Sequence, residues 1–241
     1  MPPTRADLKL AMAGYWNVKD RQATSAALLG STAEGTSKSV RAAGHFTPIA
    51  ALLARFFLDA GYPPSSIGTS RPWVVLPGVF RPTKQWDLVV IHRGVLVAAI
   101  ELKGIGGDEK SIGKNYNNRV EEALGNSIDV GRANDAALVG PEKPWLGYFF
   151  VMQDNASSRE PKQPMNGILP ADPIWRGLSH QERFGLTAQR LLNEKLYEAV
   201  CYVVSSAADP GPREPCPAAD WRHFSAAIQA RVSYLANLGY P

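Results

Sequence analysis

The chain has few residues that could hold a fold together covalently or through a metal ion. It contains only two cysteines, Cys201 and Cys216, in 241 residues. Neither has a partner at zinc-ligand spacing, so the sequence argues against both a secreted disulfide scaffold and a zinc ribbon. Four histidines are scattered without the arrangement of a catalytic triad or a histidine-metal nuclease. We expect structural or surface roles for them, with the histidine ahead of a predicted helix, His45, as the first exception to consider: His45, His92, His180 and His223.

Long apolar segments and nucleotide-binding motifs are also missing. The N-terminus lacks the apolar stretch of a signal peptide, and no run approaches the ~18 apolar residues of a membrane span. Gly104, Gly106 and Gly107 do not complete a dinucleotide fingerprint, because Glu109 follows them and no lysine-serine pair of a phosphate-binding loop is present. We therefore expect a cytosolic protein with no membrane role and no nucleotide site at this loop.

The excess of positive charge is small. A net charge of +4 and a pI near 9.1 allow a polyanionic partner without requiring one. With 45% hydrophobic residues, the chain can bury one large core. We expect a single domain over residues 1–241, with its core at about 45–206 and flanking helical segments at 1–44 and 218–237 packed on it.

Helix signals and buried strands alternate along the chain. A helix is predicted from Ala6 to Arg21, followed by a polar stretch from Thr24 to Ser39 that is expected to be mobile or to close on a ligand. Thr47 offers an N-cap and Pro48 a first helical position for a helix ending at Ala60. The order predicts an α/β fold with a mixed central sheet flanked by helices. Further predicted elements are strands at Trp73–Leu76, Pro144–Met152 and Val200–Val204, helices at Arg119–Asp135, Thr187–Ala199 and Ala218–Asn237, and proline-rich loops at Gln153–Pro173 and Asp209–Pro217.

The most informative segment is a predicted β-hairpin with charged residues at its open end. Two apolar runs from Trp86 to Lys103 are separated by a short turn containing Gly94. Two carboxylates and one ammonium, from Asp87, Glu101 and Lys103, have the spacing to hold Mg²⁺ beside a phosphodiester and to orient a water molecule. The hairpin therefore predicts a metal-dependent phosphodiesterase centre.

The turn determines whether these charged groups meet. A three-residue loop, His92–Gly94, places Asp87 opposite Ala99 and on the same face as Glu101 and Lys103. A two-residue turn at Arg93–Gly94 would put Asp87 on the other face. The metal-site hypothesis therefore predicts the three-residue loop or a compensating bulge. The competing interpretation is a surface ion pair contributing roughly 0–1 kcal/mol.

A polar segment after the hairpin carries residue types that contact DNA. Asparagine can bind adenine and arginine can bind guanine in the major groove, and a loop-to-helix junction also favours phosphate. The local alternative for Asn118 is a helix N-cap with Glu121 as its partner. The predicted DNA-binding residues are Lys114, Asn115, Asn117, Asn118 and Arg119.

Three segments together resemble a known family. Phe80–Asp87, Glu101–Lys103 and Asn115–Gly125, in this order, resemble the XhoI-type restriction endonucleases, a branch of the PD-(D/E)xK nuclease superfamily. The resemblance is densest between Leu76 and Asp129. It implies a restriction-endonuclease-like core and a type II enzyme that cuts double-stranded DNA at a short palindrome, CTCGAG or a related site.

The resemblance also implies the parts of the centre and its partners. Asp87 and Glu101 would be the metal ligands, helped by the carbonyl of Leu102, and Lys103 would position or activate the water. Mg²⁺ would be the cofactor, with Mn²⁺ as its substitute. A palindromic site implies a homodimer, and a cognate DNA methyltransferase would belong to the same system in a bacterial or archaeal cytoplasm.

Two other functions stay open at this point. A repair or recombination nuclease with the same hairpin would cut without a fixed sequence, and a non-catalytic DNA-binding homologue would bind without cutting. Glu121 and Glu122 could reach a second ion, but the helix pattern favours structural roles for both.

Overall fold

The structure is a computed structural model that describes residues 1–28, 44–107, 109–165 and 167–240. The predicted mobile stretch Thr24–Ser39 therefore lies mostly outside the described residues, and its first part continues the N-terminal helix to Leu28. The helices are α1 (Arg5–Leu28), α2 (Thr47–Asp59), α3 (Glu109–Asp135), α4 (Ala156–Arg159), α5 (His180–Asn193) and α6 (Trp221–Asn237). The strands are β1 (Ile67–Gly68), β2 (Val75–Pro77), β3 (Thr83–Gln85), β4 (Leu88–His92), β5 (Val95–Ile105), β6 (Trp145–Gln153) and β7 (Ala199–Ser205).

The central sheet is mixed, as the sequence predicts. Its five strands lie in the order β1, β4, β5, β6 and β7. Strands β1 and β5 each run antiparallel to β4, which lies between them. Strands β5, β6 and β7 run parallel to one another. Strands β5 to β7 are buried almost throughout, as expected for parallel strands covered on both faces. The α/β architecture with a central mixed sheet is therefore confirmed.

Helices cover both faces of this sheet and build two layers of core. One layer contains apolar residues of α1, α2 and α6, including Met12, Phe57 and Phe224. The other contains residues of α3 and α5, including Ile112 and Phe184. The charged end of the hairpin thus lies on a rigid, doubly covered strand pair.

Several predicted element boundaries are wrong for identifiable reasons. Helix α3 begins at Glu109 rather than Arg119, because packing of Ile112 in the core outweighs the low helix propensity of the asparagines. Thr47 is not an N-cap, since Phe46 holds that position after a 3₁₀ turn and no side chain caps the helix. Helix α5 begins earlier than predicted, at a capping box between Ser179 and Glu182.

The described residues contain no helix that combines the length and the apolar character needed to cross a bilayer.

A small hairpin formed by β2 and β3 is fastened to α3 by one buried carboxylate. Asp129 accepts hydrogen bonds from the backbone N–H groups of Val79 and Phe80 at 2.7 and 2.9 Å, and from Arg81 Nε at 2.9 Å. A Cβ on Gly78 would lie 2.5 Å from Asp129 Oδ2, so only glycine fits there without movement. Burial alone would raise the pKa of Asp129, but these hydrogen bonds outweigh it and the pKa is lowered.

We expect Asp129→Ala to lower the free energy of unfolding by about 3 kcal/mol at neutral pH, since the backbone N–H groups of Val79 and Phe80 and the half-exposed Arg81 lose their shared buried carboxylate. A carboxyl with a lowered folded-state pKa stabilises the fold above its unfolded pKa of about 3.9, and this contribution disappears as the pH falls through the folded-state value. The difference between parent and variant should therefore shrink in acid. Urea unfolding at neutral and acidic pH measures it.

The matched control is Asp135→Ala on the same helix. Asp135 pairs with Arg132 at 3.2 Å, but both side chains are more than half exposed. Its loss should cost less than about 1 kcal/mol. Equal destabilisation by the two substitutions would contradict the role given to Asp129.

Candidate functional site

The turn of the central hairpin has two residues. His92 pairs with Val95, and Arg93 and Gly94 have φ values of 49° and 77°. Both turn residues are left-handed, which is the geometry of a type I′ turn and matches the twist of the strands. The predicted three-residue loop is therefore wrong.

A bulge compensates for the shorter turn. Ile91 pairs with Leu96 but Val90 pairs with Ala98, so Val97 is an extra residue in β5. Beyond the bulge, Leu88 lies opposite Ile100, and the amide N–H of Asp87 donates to the Ile100 carbonyl at 3.3 Å. Continuing this register places Asp87 across from Glu101, rather than opposite Ala99 as predicted. The extra residue restores the shared face that the metal-site hypothesis requires.

The charged side chains meet at the end of this hairpin. Lys103 Nζ contacts Glu101 Oε1 and lies 3.5 Å from Asp87 Oδ2. The backbone N–H of Leu102 donates to Asp87 Oδ2 at 2.7 Å, which fixes the carboxylate beside that peptide unit. Asp87, Glu101 and Lys103 are therefore one contact group, as the sequence indicates.

A second lysine belongs to this group, and sequence reasoning missed it. Lys84 Nζ lies 3.1 Å from both carboxylate oxygens of Glu101. Lys84 lies on β3, in a separate two-stranded sheet, so the hairpin pattern contained no sign of the contact. The only available signal was its place three residues before Asp87 in the segment that carries the family resemblance.

Burial makes the electrostatics of this group strong. The Glu101 side chain is 1% exposed, against 32% for Asp87. Burial and the neighbouring Glu101 carboxylate raise the pKa of Asp87. Burial by itself would lower the pKa of Lys103, but the carboxylates of Glu101 and Asp87 outweigh it and the pKa is raised. Lys103 is therefore held as an ammonium.

The first half of α3 lies over this charged group. Glu122 pairs with Arg119 one turn before it, and its carboxylate is close enough to contribute to the raised pKa of Lys103. Because α3 begins at Glu109, Asn118 is inside the helix and the proposed N-cap role for it is wrong. Glu122 faces the charged group, whereas Glu121 faces a groove between α3 and α5.

The predicted DNA-binding residues lie on two faces of α3 rather than at a loop-to-helix junction. Lys114, Asn117 and Asn118 are exposed. Asn115 and Arg119 are half-buried, and they contact Ser111 and Glu122 respectively. Helical spacing places Asn115 and Arg119 on the face of α3 that carries Glu122, whereas Asn117 lines the groove between α3 and α5 with Glu121.

The histidines contact neighbouring side chains, and His180 packs against Tyr116. His92 Nδ1 lies 2.8 Å from Ser66 Oγ, and His223 pairs with Asp220. His45 packs against Tyr15 and Phe46. Burial, together with the nearby positive charge of Lys19, lowers the pKa of His45 to about 4.

An open cavity of about 780 Å³ adjoins the charged group. Asp87 and Leu102 form part of its wall, and residues of α1 and α2 form much of the rest. Asp87 can therefore be reached from solvent even though Glu101 is buried.

The donor set suits a hard divalent cation held by few protein ligands. Within the described ranges, no group of three or more histidine, cysteine or acidic side chains is placed to hold a metal ion. The carboxylates of Asp87 and Glu101 supply oxygen ligands at one place, and Mg²⁺ is commonly bound by one or two carboxylates while it keeps several waters. The two carboxylates fit such an ion, and the group lacks the nitrogen and sulfur ligands that are common at zinc sites.

Comparison with known proteins defines the family. A sequence model of a restriction endonuclease family matches residues 26–213, and this range includes the whole charged group. That model is described as restriction endonuclease XhoI, and the chain belongs to this family.

The curated relatives are type II restriction enzymes. The chain is 36% identical to BstVI of Geobacillus stearothermophilus over 136 residues, which cover 54% of this chain and 60% of the relative. It is 35% identical to XhoI of Xanthomonas vasicola over 123 residues, or 51% and 49% of the two chains. It is 40% identical to AbrI of Azospirillum brasilense over 97 residues, or 40% and 43%. The matches thus span about half the length of these relatives. No solved structure matches the chain significantly.

We expect Glu101→Ala to destabilise the metal-free protein by about 3 kcal/mol, because two largely buried lysines lose their shared partner. Urea unfolding in EDTA measures the loss. Glu121→Ala, an exposed glutamate on α3, is the control and should change stability by less than about 0.5 kcal/mol. An unchanged unfolding midpoint for Glu101→Ala would show that the buried contacts contribute nothing.

Proposed function

We propose that this protein is a type II restriction endonuclease that hydrolyses double-stranded DNA with Mg²⁺ at the centre formed by Asp87, Glu101 and Lys103. The observation that carries the proposal is the placement of Asp87 across from Glu101, with Lys103 in contact with both, in a chain of the XhoI restriction endonuclease family. The mixed sheet, with this centre at the end of an antiparallel strand pair, supports a PD-(D/E)xK core.

Each residue has a role that follows from its position. Asp87 and Glu101, with the Leu102 carbonyl, would hold the ion; when bound, Mg²⁺ supplies positive charge at the scissile phosphate and lowers the pKa of a bound water. Lys103 hydrogen-bonds the attacking water and stabilises the negative charge that develops on the phosphate oxygens. In-line attack by the water oxygen would form one P–O bond and break the P–O bond to the leaving oxygen, while one water proton passes to solvent and the leaving oxygen takes up a proton from solvent. Each subunit of the homodimer would cut one strand.

Membership of the same family suggests how the protein would recognise its DNA sequence. The relatives are named type II restriction enzymes, and a short palindrome, CTCGAG or a related site, would be read by a homodimer. The exposed residues Lys114 and Asn118 of α3 are suited to contact DNA beside the centre, and Asn117 would contact it from the groove between α3 and α5. Asn115 and Arg119, on the face of α3 that carries Glu122, would lie nearer the cleaved strand. A DNA methyltransferase in the same cell would protect the host's own sites.

Digestion of phage DNA by the purified protein with Mg²⁺ tests the proposal. The protein should produce discrete fragments with Mg²⁺ and none with EDTA. Lys103→Ala should cut roughly 1000-fold more slowly, because charge stabilisation at the phosphate is lost. Sequencing the fragment ends gives the recognition site and the overhang together.

The controls separate the competing functions. Lys143→Ala removes an exposed lysine that pairs with Glu198, and it should cut at the parent rate. A continuous smear instead of discrete fragments would identify a nuclease of repair or recombination. Binding without any cleavage would identify a non-catalytic homologue, and the intact charged group argues against that outcome.

The exposed lysine of α3 provides a separate prediction for DNA binding. Lys114→Ala should weaken binding to all duplexes alike and reduce the slope of log affinity against log salt by about 1, because one phosphate contact is lost. Fluorescence anisotropy at several salt concentrations measures the slope. A slope equal to that of the parent would remove Lys114 from the DNA interface.

A further inference from the structure

Two lysines, not one, bind the buried carboxylate of the proposed centre. Glu101 is 1% exposed, and both of its oxygens are 3.1 Å from Lys84 Nζ. Lys103 contacts Glu101 Oε1 and also reaches toward Asp87. Lys84 is therefore the symmetric partner of Glu101, and Lys103 is shared between the two carboxylates.

Lys84 is held in place from several directions. Its ammonium also contacts the carbonyl of Gln85 and lies 5.5 Å from the ring centroid of Trp86, which is buried. The hairpin that carries it is fastened to α3 through Asp129. With 17% of its side chain exposed, Lys84 has little freedom to leave Glu101.

The charges of the group cancel without a metal ion. Asp87 and Glu101 contribute two negative charges, and Lys84 and Lys103 contribute two positive ones, while the nearby Glu122 is paired with Arg119. The full positive charge of a bound divalent cation would then be available to the phosphodiester and to the negative charge that develops as the water attacks. With one lysine alone, the group would hold a net negative charge that attracts the cation more strongly and opposes the negative charge developing on the phosphate.

We propose that Lys84 is a positioning residue that orients Glu101 and sets the charge of the centre to neutral before the metal ion binds. This inference rests on the proposed function for its catalytic part only. It makes an uncommon prediction: loss of the Lys84 charge strengthens metal binding and at the same time slows cleavage. A merely structural role would weaken both.

Lys84→Met removes the charge and keeps the apolar stem. We expect DNA-free Lys84→Met to bind Mn²⁺ about tenfold more tightly than the parent, measured by electron paramagnetic resonance of free Mn²⁺. Its rate of DNA cleavage at saturating Mg²⁺ should fall about 100-fold. Lys84→Arg keeps the positive charge, so its Mn²⁺ affinity and its cleavage rate should both stay within about threefold of the parent.

Arg71→Met is the matched control. Arg71 is exposed and donates to Gln85 Oε1 at 2.6 Å, so the substitution removes a positive charge beside the same strand without removing a partner of Glu101. It should leave Mn²⁺ affinity and cleavage within about twofold of the parent. If Lys84→Met fails to fold by circular dichroism, Lys84→Gln, which keeps a hydrogen-bond donor, replaces it.

The outcomes separate this inference from the proposed function. Weaker or unchanged Mn²⁺ binding in the neutral Lys84 variants would overturn the inference, whatever the cleavage rates. Unchanged cleavage together with tighter binding would overturn the positioning role. If the parent protein binds Mn²⁺ and the variants bind it more tightly, but none of them cuts DNA, then the proposed function fails and the charge-setting role of Lys84 stands.

Discussion

The candidate site depends on one buried carboxylate. Glu101 is almost fully shielded from water at the charged end of a central strand, and an unpaired carboxylate in such a place would cost several kcal/mol. Lys84 and Lys103 make the arrangement stable, and they bring a separate small hairpin and the central hairpin together at one point. The fastening of that small hairpin to α3 by Asp129 serves the same end, since it keeps Lys84 within reach.

The sequence predicted that Asp87, Glu101 and Lys103 come together, but not the turn and the register that bring them together. Two apolar runs on either side of a glycine-containing turn identified β4 and β5, and the metal-site hypothesis required Asp87 to share a face with Glu101. The favoured loop was wrong, yet the alternative named with it, a compensating bulge, is present between Val90 and Ile91. Bulges depend on packing across both faces of the sheet, which a single strand pattern does not contain.

Other features depended on tertiary contacts and were out of reach. Lys84 lies on a three-residue strand whose partner is not in the central sheet, so no local pattern linked it to Glu101. Helix α3 begins before its asparagine-rich segment because core contacts outweigh local propensity. By contrast, the predicted bounds of β6 and β7 agree with the structure to within one residue at each end. A short continuous apolar run between turn signals favours a buried strand over other secondary structure.

The central claim is that Asp87 and Glu101 together hold a divalent cation. Anomalous diffraction from crystals of the protein soaked in Mn²⁺ tests it most directly. The account predicts a single strong peak about 2.2 Å from a carboxylate oxygen of each residue, with Lys84 and Lys103 beside it. A Mn²⁺ peak elsewhere on the chain, with no density between these two carboxylates, would contradict it.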